Sequence, residues 1–182
     1  NKGATDVSGL DIAKNSIINL KKEYTSLKFY NADISKKSSL REKYDIIAAM
    51  AVLYHIVDDK KFENAIRNIR KFAKKGSCVL LQDNFLNRYS PPKSGTHCYF
   101  RTYKYYKKVL GKNGIKIIKT MPVLYFLNPP FDINDEWIRK IALFLWNITM
   151  SIFAKNEFTG NIIGAVLYYV DKLMVKFVRD SI

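Results

Sequence analysis

The sequence predicts an α/β fold with a doubly wound, mostly parallel sheet, followed by a helical appendage. Short and nearly all-apolar runs alternate with segments whose apolar residues recur at helical spacing. Strands of this kind are typical of a parallel sheet that is covered on both faces. After Met121 the alternation stops, and two long uncharged stretches follow. We therefore expect an α/β domain over residues 1–120 and a helical lid or interaction region over 121–182.

The apolar runs of the first domain are its expected strands, at 6–11, 26–33, 43–50, 77–83 and 115–120. A helix over 14–24 is expected after the first strand, because Ile17, Leu20 and Tyr24 fall on one helical face. Strand and helix therefore alternate from the start of the chain.

Two further helices carry start and stop signals. Asp58 is suited to cap a helix that runs through KKFENAIRNIRKFAKK, and Gly76 is expected to stop it. The apolar face of this helix is predicted to be Phe62, Ile66, Ile69 and Phe72. A third helix, in YKYYKKVLGKNG, is expected to end at Gly114.

The second region begins with the proline-bearing connector MPVLYFLNPPFD and continues with uncharged stretches at 141–154 and 158–170. At 14 and 13 residues, each is shorter than the roughly 20 apolar residues that cross a membrane. One face of the first helix is formed by Ile138, Ile141, Leu145, Ile148 and Ile152. Its other side is apolar too, which favours a packed lid or homodimer helix. Peripheral contact with a membrane interface through 138–178 is the alternative.

The chain is basic, with 31 Lys and Arg residues against 16 Asp and Glu residues and a formal charge of +15. This charge is compatible with an anionic partner, such as nucleic acid or a membrane surface. It is also what a low-GC genome imposes on any protein, because lysine far outnumbers arginine and Asn, Ile and Tyr are plentiful. The basic residues are scattered in ones and twos, so the pattern does not favour a specific nucleic-acid partner.

The two cysteines, Cys78 and Cys98, show neither metal-binding nor redox spacing, which fits a reducing cytosol. With only His55 and His97 beside them, the ligands for a zinc site are too few, and no metal is expected. No apolar signal-peptide segment follows Lys2. We expect a cytoplasmic protein.

Asp11 ends the first apolar run and precedes the first helix. In a nucleotide-binding α/β unit, a carboxylate at this place accepts hydrogen bonds from both ribose hydroxyls. Asp is also favoured as the amino-terminal cap of a helix, and Asp11 alone does not decide between these roles. A nucleotide site of this kind needs a glycine-rich phosphate loop about 20 residues upstream, and only ten residues precede Asp11.

Asp33 follows the second strand, 22 residues after Asp11. Because neighbouring ends of parallel strands lie side by side, the two acids could flank one nucleoside, with its ribose at Asp11 and its adenine amino group at Asp33. Ile34 would then pack against the purine. The alternative is a cap or turn role for Asp33, with Ser35 beginning a helix.

The stretch YDIIAAMAVLYHIVDD, at 44–59, contains the third strand and the segment after it. Ala48 and Ala49 are small, so the backbone at this strand end can approach a ligand closely. The segment VLYHI then carries His55 into the region of the cleft. Asp83 lies at the end of the fourth strand, where ligands of parallel sheets also bind.

Four of these stretches occur in an order and at spacings similar to a known family. GLDIAKNSI, FYNADIS, YDIIAAMAVLYHIVDD and NAIRNIRKFAKKGSCVLLQDNF resemble motifs two to five of the class I S-adenosylmethionine-dependent methyltransferases, over residues 3–120. Each motif is weak alone, but four in order are specific. The resemblance implies a Rossmann-like fold, methyl transfer and S-adenosyl-L-methionine as the cofactor.

The resemblance also implies roles for residues at the first two strand ends. Asp11 would bind the ribose hydroxyls, with Ile12 beside it. Asp33 would accept a hydrogen bond from the adenine amino group, and Ile34 would recognise the ring.

At the third strand end, the resemblance implies that Ala49 and Met50 line the methionine portion of the cofactor. The family's first strand and its GxGxG loop are absent from the sequence, and its final strand is not evident. Because that missing first strand is central in the family's sheet, we expect a gap between the first and third strands of this chain. We expect the loop itself to lie upstream of Asn1, with KGA as the remnant of its turn.

On the acceptor side, residues 94–114 are similar to a stretch of methyltransferases that act on small, often sugar-like or polysaccharide-precursor substrates. His97 could act as a general base for a hydroxyl, and Arg101 could hold an anionic substrate group. The alternatives are a loop position for His97 and structural pairing for Arg101. His55 is either catalytic or a satisfied helix residue.

The leading hypothesis is therefore a methyltransferase that acts on a small-molecule acceptor. Asp33 and VLYHI favour it over a nicotinamide-dependent dehydrogenase, for which only the ribose-binding role of Asp11 would be expected. The alternative is a non-catalytic methyltransferase-like scaffold that binds a membrane surface or a protein partner, motivated by the charge and the apolar region 138–178. RNA methylation lacks support, because no basic patch interleaved with aromatic residues is visible.

Overall fold

The computed structural model of the chain describes residues 3–37, 40–86, 97–121, 133, 135–153 and 156–178. These residues fall into two compact units. The first contains the described residues up to Phe85 and those between 97 and Ile115. The second contains Leu86 and the described residues from Lys116 onward.

The first unit alternates strand and helix as predicted, except that β2 is followed by β3 with no helix among the described residues between them. Its elements are β1 (Ser8–Asp11), α1 (Lys14–Glu23), β2 (Lys28–Asn31), β3 (Tyr44–Met50), a 3₁₀ turn (Leu53–His55), α2 (Asp59–Phe72), β4 (Ala73–Gln82) and α3 (Tyr103–Lys112). In α1, Ile17 is buried as expected, but Tyr24 follows the helix end and is 45% exposed.

The strands of the first unit form two parallel pairs. β1 pairs with β2, with Asp11 opposite Asn31, and β3 pairs with β4, with Ala49 opposite Leu81. Parallel pairing confirms the predicted α/β class. Among the described residues the two pairs are separate ladders, so β1 and β3 are not hydrogen-bonded to each other. The predicted gap between the first and third strands is therefore present.

Helix α2 carries most of the core of the first unit. Asp58 caps it, because the Asp58 side chain accepts a hydrogen bond from Lys61 N at 2.8 Å. The predicted apolar face is confirmed, since all four of its residues are buried: Phe62, Ile66, Ile69 and Phe72. Tyr106 and Val109 of α3 are buried as well, and α3 packs against α2.

Gly76 does not stop α2, and the prediction that it would was wrong. The helix ends at Phe72, β4 begins at Ala73, and Gly76 lies inside the strand with φ of +80°. The β3–β4 register shifts at this place, since Tyr44 is opposite Ala73 and Ile46 is opposite Cys78. Extra residues in one strand form a bulge, and glycine adopts the left-handed conformation that a bulge requires.

Gly114 ends α3 as predicted, with φ of +70°. Ile115 N donates to Leu110 O and Gly114 N donates to Gly111 O, both at 3.0 Å, which is a Schellman motif. The strand predicted at 115–120 was wrong, since 115–121 have no regular secondary structure. A strand needs a neighbour to complete its ladder, and none of the described strands pairs with this segment.

The second unit contains α4 (Glu136–Phe153) and α5 (Glu157–Val178), which pack against each other. The helices predicted from the two uncharged stretches are thus confirmed over 141–153 and 158–170. The predicted connector lies outside the described residues beyond Met121. Within the described part of the chain, no helix has both the length and the apolar character to cross a membrane.

Candidate functional site

Asp11 closes the turn between β1 and α1. Its Oδ1 accepts a hydrogen bond from Ala13 N at 2.7 Å. Ala13 precedes the helix, so Asp11 stabilises the turn before α1 and not a helical N–H group. A carboxylate has about four lone-pair sites. Acceptor capacity therefore remains on Asp11 for the hydroxyls of a ligand.

Asn31 joins this turn to the end of β2. Its Nδ2 donates to Asp11 O at 3.1 Å and to Ile12 O at 2.9 Å, while Ala32 N donates to Asp11 O at 3.0 Å. Because Asn31 is opposite Asp11 in the ladder, Asp33 lies two residues beyond the same edge. The structure thus brings Asp11 and Asp33 to neighbouring strand ends. Asn31 received no role from the sequence, although its amide at a strand end was the available signal.

Asp33 forms a tight turn with Ser35. Its Oδ1 accepts from Ser35 N at 2.9 Å and from Ser35 Oγ at 2.6 Å. Burial alone would raise the pKa of Asp33, but the Ser35 hydrogen bonds and the charges of Lys36 and Lys61 outweigh it and lower the pKa. Asp33 is therefore ionised at neutral pH and suited to accept a hydrogen bond from an amino group.

Asn68 fixes the loop that carries Asp33. It lies on α2, is buried, and its Nδ2 donates to Ile34 O at 2.7 Å and to Lys36 O at 2.6 Å. A buried amide that satisfies two carbonyls also holds them in place. Asn68 therefore positions the segment between Asp33 and Lys36 against α2.

We expect an Asn68→Leu variant to lose about 2 kcal/mol of unfolding free energy, because two part-buried carbonyls lose their donor. Urea denaturation followed by circular dichroism measures this loss. Asn64→Leu, one helical turn earlier, is the matched control and should change the unfolding free energy by less than about 0.5 kcal/mol. Equal losses in both variants would mean that the bonds of Asn68 do not hold the loop.

The end of β3 makes a sharp turn. Ala51 has φ of +54°, which is rare for a residue other than glycine, and its N–H donates to Gln82 O at 3.0 Å. Strained backbone of this kind is concentrated at ligand sites. Ala49 is half-buried in the ladder, while Met50 is 52% exposed, and Ile12 at the β1 end is 69% exposed. The two exposed apolar side chains are free to cover a bound ligand.

His55 and His97 lie together, although 42 residues separate them in the sequence. Their rings are stacked with centroids 5.9 Å apart, and His55 Nδ1 is 3.2 Å from His97 O. A carbonyl only accepts hydrogen bonds, so this contact favours the tautomer in which Nδ1 carries the proton, and Cys98 Sγ, 3.4 Å from the same nitrogen, is then a second acceptor. Nε2 of His55 is then the basic nitrogen, while His97 contributes its backbone oxygen.

Arg101 is 2% exposed and is held by the protein itself. Nε donates to Asp59 Oδ1 at 3.0 Å, and Nη2 donates to Ile56 O and Val57 O. The guanidinium also lies over the Phe62 ring at 4.1 Å. These contacts favour the structural-pairing interpretation of Arg101. Its Nη1 is buried and has no hydrogen-bond partner among the described residues, so one donor remains for a substrate group.

Asp83, directly after β4, lies at a strand end where ligand binding was expected, although no chemical role had been assigned to it. It accepts a hydrogen bond from Tyr106 OH and a second from Asn84 N at 2.8 Å. Burial raises the pKa of Asp83, and the two hydrogen bonds and the charges of Arg101 and His55 offset this only in part. Burial and the nearby Asp83 also raise the pKa of Tyr106. A part-buried carboxyl with a raised pKa, near a histidine at a strand end, is typical of a catalytic site.

The site residues thus form two groups, each at the carboxyl end of one strand pair. The acids and Ile12 belong to the β1–β2 pair, and Asp83 with the histidines belongs to the β3–β4 pair. No three His, Cys, Asp or Glu side chains within the described ranges lie close enough together to hold a metal ion.

Residues 1–81 match the family model of the methyltransferase domain. The chain is also 28% identical over 156 residues to the ubiquinone biosynthesis O-methyltransferase of Bartonella bacilliformis. That alignment covers 76% of this chain and 60% of the relative.

Among solved structures, an O-methyltransferase from a trans-AT PKS multienzyme of Brevibacillus brevis, in complex with S-adenosyl-L-homocysteine, superposes with a TM-score of 0.55. It is 20% identical, and the match covers 80% of this chain and 53% of that one, so it shows a shared fold. A sugar N-methyltransferase of Streptoalloteichus sp. ATCC 53650 is 13% identical over 46% of this chain and 36% of its own. Its TM-score of 0.39 is too low to carry a conclusion. The chain spans 53 to 60% of the length of the first two relatives.

Proposed function

We propose that the chain is a class I S-adenosylmethionine-dependent methyltransferase, which binds S-adenosyl-L-methionine and methylates a small hydroxylated acceptor, such as a sugar or a polysaccharide precursor. The observation that carries this proposal is the pair of acids on adjacent parallel strands. Asp11 and Asp33 lie at neighbouring strand ends, which are joined by two hydrogen bonds from the Asn31 side chain and one from Ala32 N.

The residues of the β1–β2 edge fit the nucleoside of this cofactor. Asp11 keeps acceptor capacity for two ribose hydroxyls, and the lowered pKa of Asp33 keeps it ionised to accept from the adenine amino group. Ile12 is exposed beside Asp11, and Ile34 follows Asp33, and we assign contact with the adenosine to both. Ala49 and Met50 of β3 would line the methionine portion.

When bound, S-adenosyl-L-methionine supplies an electrophilic methyl group on a positively charged sulfur. The chain's own contribution is to orient the acceptor and to remove the hydroxyl proton as its oxygen becomes a nucleophile. We assign proton removal to His55 Nε2, because its Nδ1 is engaged by His97 O. In its ionised form, Asp83 would stabilise the positive charge that His55 gains, and Arg101 Nη1 would donate to the acceptor.

The test of cofactor binding is an Asp33→Asn variant of the full natural polypeptide. We expect its affinity for S-adenosyl-L-homocysteine to fall by roughly tenfold or more, because a charge-assisted hydrogen bond is lost and the remaining amide oxygen is already used by Ser35. Isothermal titration calorimetry measures the affinity.

Asp45→Asn is the matched control, since Asp45 is an exposed β3 acid paired only with Lys74 among the described residues. Its affinity should equal that of the unmodified protein. Wild-type protein that binds no S-adenosyl-L-homocysteine, and transfers no labelled methyl group to a panel of phenolic and sugar acceptors, would remove the proposal and leave the non-catalytic scaffold.

A further inference from the structure

Helix α4 exposes an apolar stripe with alternating spacings of three and four residues. Its members are Ile138, Ile141, Leu145, Ile148 and Ile152, which are 39–56% exposed. This spacing repeats every seven residues and is the pattern of helices that pack by knobs into holes. We call these residues the α4 stripe.

Helix α5 exposes a second stripe with the same pattern. Ile162, Val166, Tyr169 and Leu173 are spaced by four, three and four residues and are 50–64% exposed. We call these residues the α5 stripe. Apolar stripes on the facing sides of neighbouring helices are the packing surfaces of helical bundles.

The stripes lie on the sides of the helices that their mutual packing leaves open. In α4 the half-buried positions include Leu143, Trp146 and Met150, and in α5 Leu167 is half-buried and Asp171 is buried. These positions differ from those of the stripes in each helix. The α4–α5 contact is therefore already made inside one chain, and the stripes need a different partner.

The composition of the α4 stripe indicates how many helices meet. Four of its five residues are isoleucine and the fifth is leucine. Seams with isoleucine at both heptad positions favour bundles of three or four helices over pairs. Two copies of the α4–α5 pair supply four helices.

The area of the stripes is that of a stable interface. Nine large apolar side chains at about half exposure offer on the order of 900 Å² per chain, against about 800 Å² per partner in a standard protein–protein interface. A two-fold symmetric contact uses the same patch on both copies, so both stripes would be covered at once.

The charge of α4 and α5 argues against a lipid surface as the partner. The two helices contain three acidic and four basic residues, a net charge of +1, although the whole chain carries +15. Interfacial helices that bind anionic membranes place many Lys and Arg residues on the face opposite the apolar one. The basic residues of this protein lie mostly outside these helices.

We propose that the α4 and α5 stripes bind the same stripes of a second copy of this chain, which forms a homodimer through a four-helix bundle. This interface does not depend on the proposed methyl transfer, so its test is separate from the cofactor test. Size-exclusion chromatography with light scattering on the full polypeptide at about 20 μM should give twice the monomer mass.

Two variants break the contact from either helix. Ile148→Glu in the α4 stripe and Val166→Glu in the α5 stripe should each weaken dimerisation at least 100-fold, because each buries an unpaired carboxylate in the seam. Asn147→Glu adds the same charge to an exposed α4 residue outside the stripe and should remain dimeric. Far-UV circular dichroism should show the same helix content in all four proteins.

A monomeric wild-type protein at all concentrations up to 100 μM would overturn the proposal without reference to any variant. A wild-type monomer that floats with anionic phosphatidylserine vesicles, and loses flotation in Ile148→Glu, would identify the membrane as the partner instead. A dimer that Ile148→Glu and Val166→Glu both leave intact, with helix content retained, would place the interface elsewhere and also overturn it.

Discussion

An Arg101→Met variant is expected to lose about 3 kcal/mol of unfolding free energy, because removal of the buried guanidinium leaves its hydrogen-bond acceptors without a donor. Ile56 O and Val57 O lose their hydrogen bonds, and the Phe62 ring loses the guanidinium above it. The ion pair contributes a smaller share, since the Asp59 side chain is 44% exposed and water screens it. Methionine preserves the apolar volume, so the loss reports the polar contacts.

Urea denaturation monitored by circular dichroism measures this loss, and Arg67→Met is the matched control. Arg67 is an exposed α2 arginine that donates to Asn64, and its removal should cost less than about 0.5 kcal/mol. A loss as small in Arg101→Met would show that this residue does not hold the segment before α3 against α2. Arg101→Lys keeps the positive charge but lacks the planar guanidinium. Its loss of unfolding free energy should lie between those of Arg67→Met and Arg101→Met.

The second large effect is expected from His55→Gln, which should lower kcat/KM for methyl transfer by about 100-fold, the usual contribution of a general base. This prediction depends on the proposed function. The reason is the contact with His97 O, which leaves Nε2 of His55 to take the proton of the acceptor. Transfer of a labelled methyl group to the best acceptor of the panel measures it.

His97→Gln is the discriminating control, because the structure uses the backbone oxygen of His97 and a substitution preserves it. We expect His97→Gln to retain activity within about threefold, with unchanged affinity for S-adenosyl-L-homocysteine in both variants. Equal losses in the two variants would assign the base role to neither histidine alone. Full activity of His55→Gln would leave positioning as the main contribution of the chain, as methyl transfer from an activated sulfur permits.

Local signals in the sequence were sufficient for most elements of the first unit. The apolar face of α2, the Asp58 cap and the Gly114 stop were all predictable because each depends on residues within a few positions. The absence of a strand at 115–120 was not predictable in this way, because a strand forms only where another strand completes its ladder. A glycine with positive φ, as at Gly76, occurs both at helix ends and at β-bulges. The residue type alone therefore could not distinguish a helix stop from a bulge.

The candidate site divides in the same way. The strand-end rule brought Asp11 and Asp33 together correctly, because adjacent parallel strands place their ends side by side. The contacts of Asn68 with Ile34 O and Lys36 O span 34 and 32 residues, and no local pattern announces them. The burial of Arg101 against α2 is likewise a long-range result of packing, which residue type and spacing do not reveal.

The left-handed backbone at Ala51 has a consequence for the tolerance of this position to mutation. Ala51 is exposed, and exposed positions generally accept many residue types. Here the backbone restricts the choice, because a side chain at positive φ costs about 1–2 kcal/mol and β-branched residues fit worst. A mutational scan ranked by solvent exposure alone would therefore overestimate the tolerance of residue 51 to substitution. Only small residues, asparagine and glycine should be accepted there.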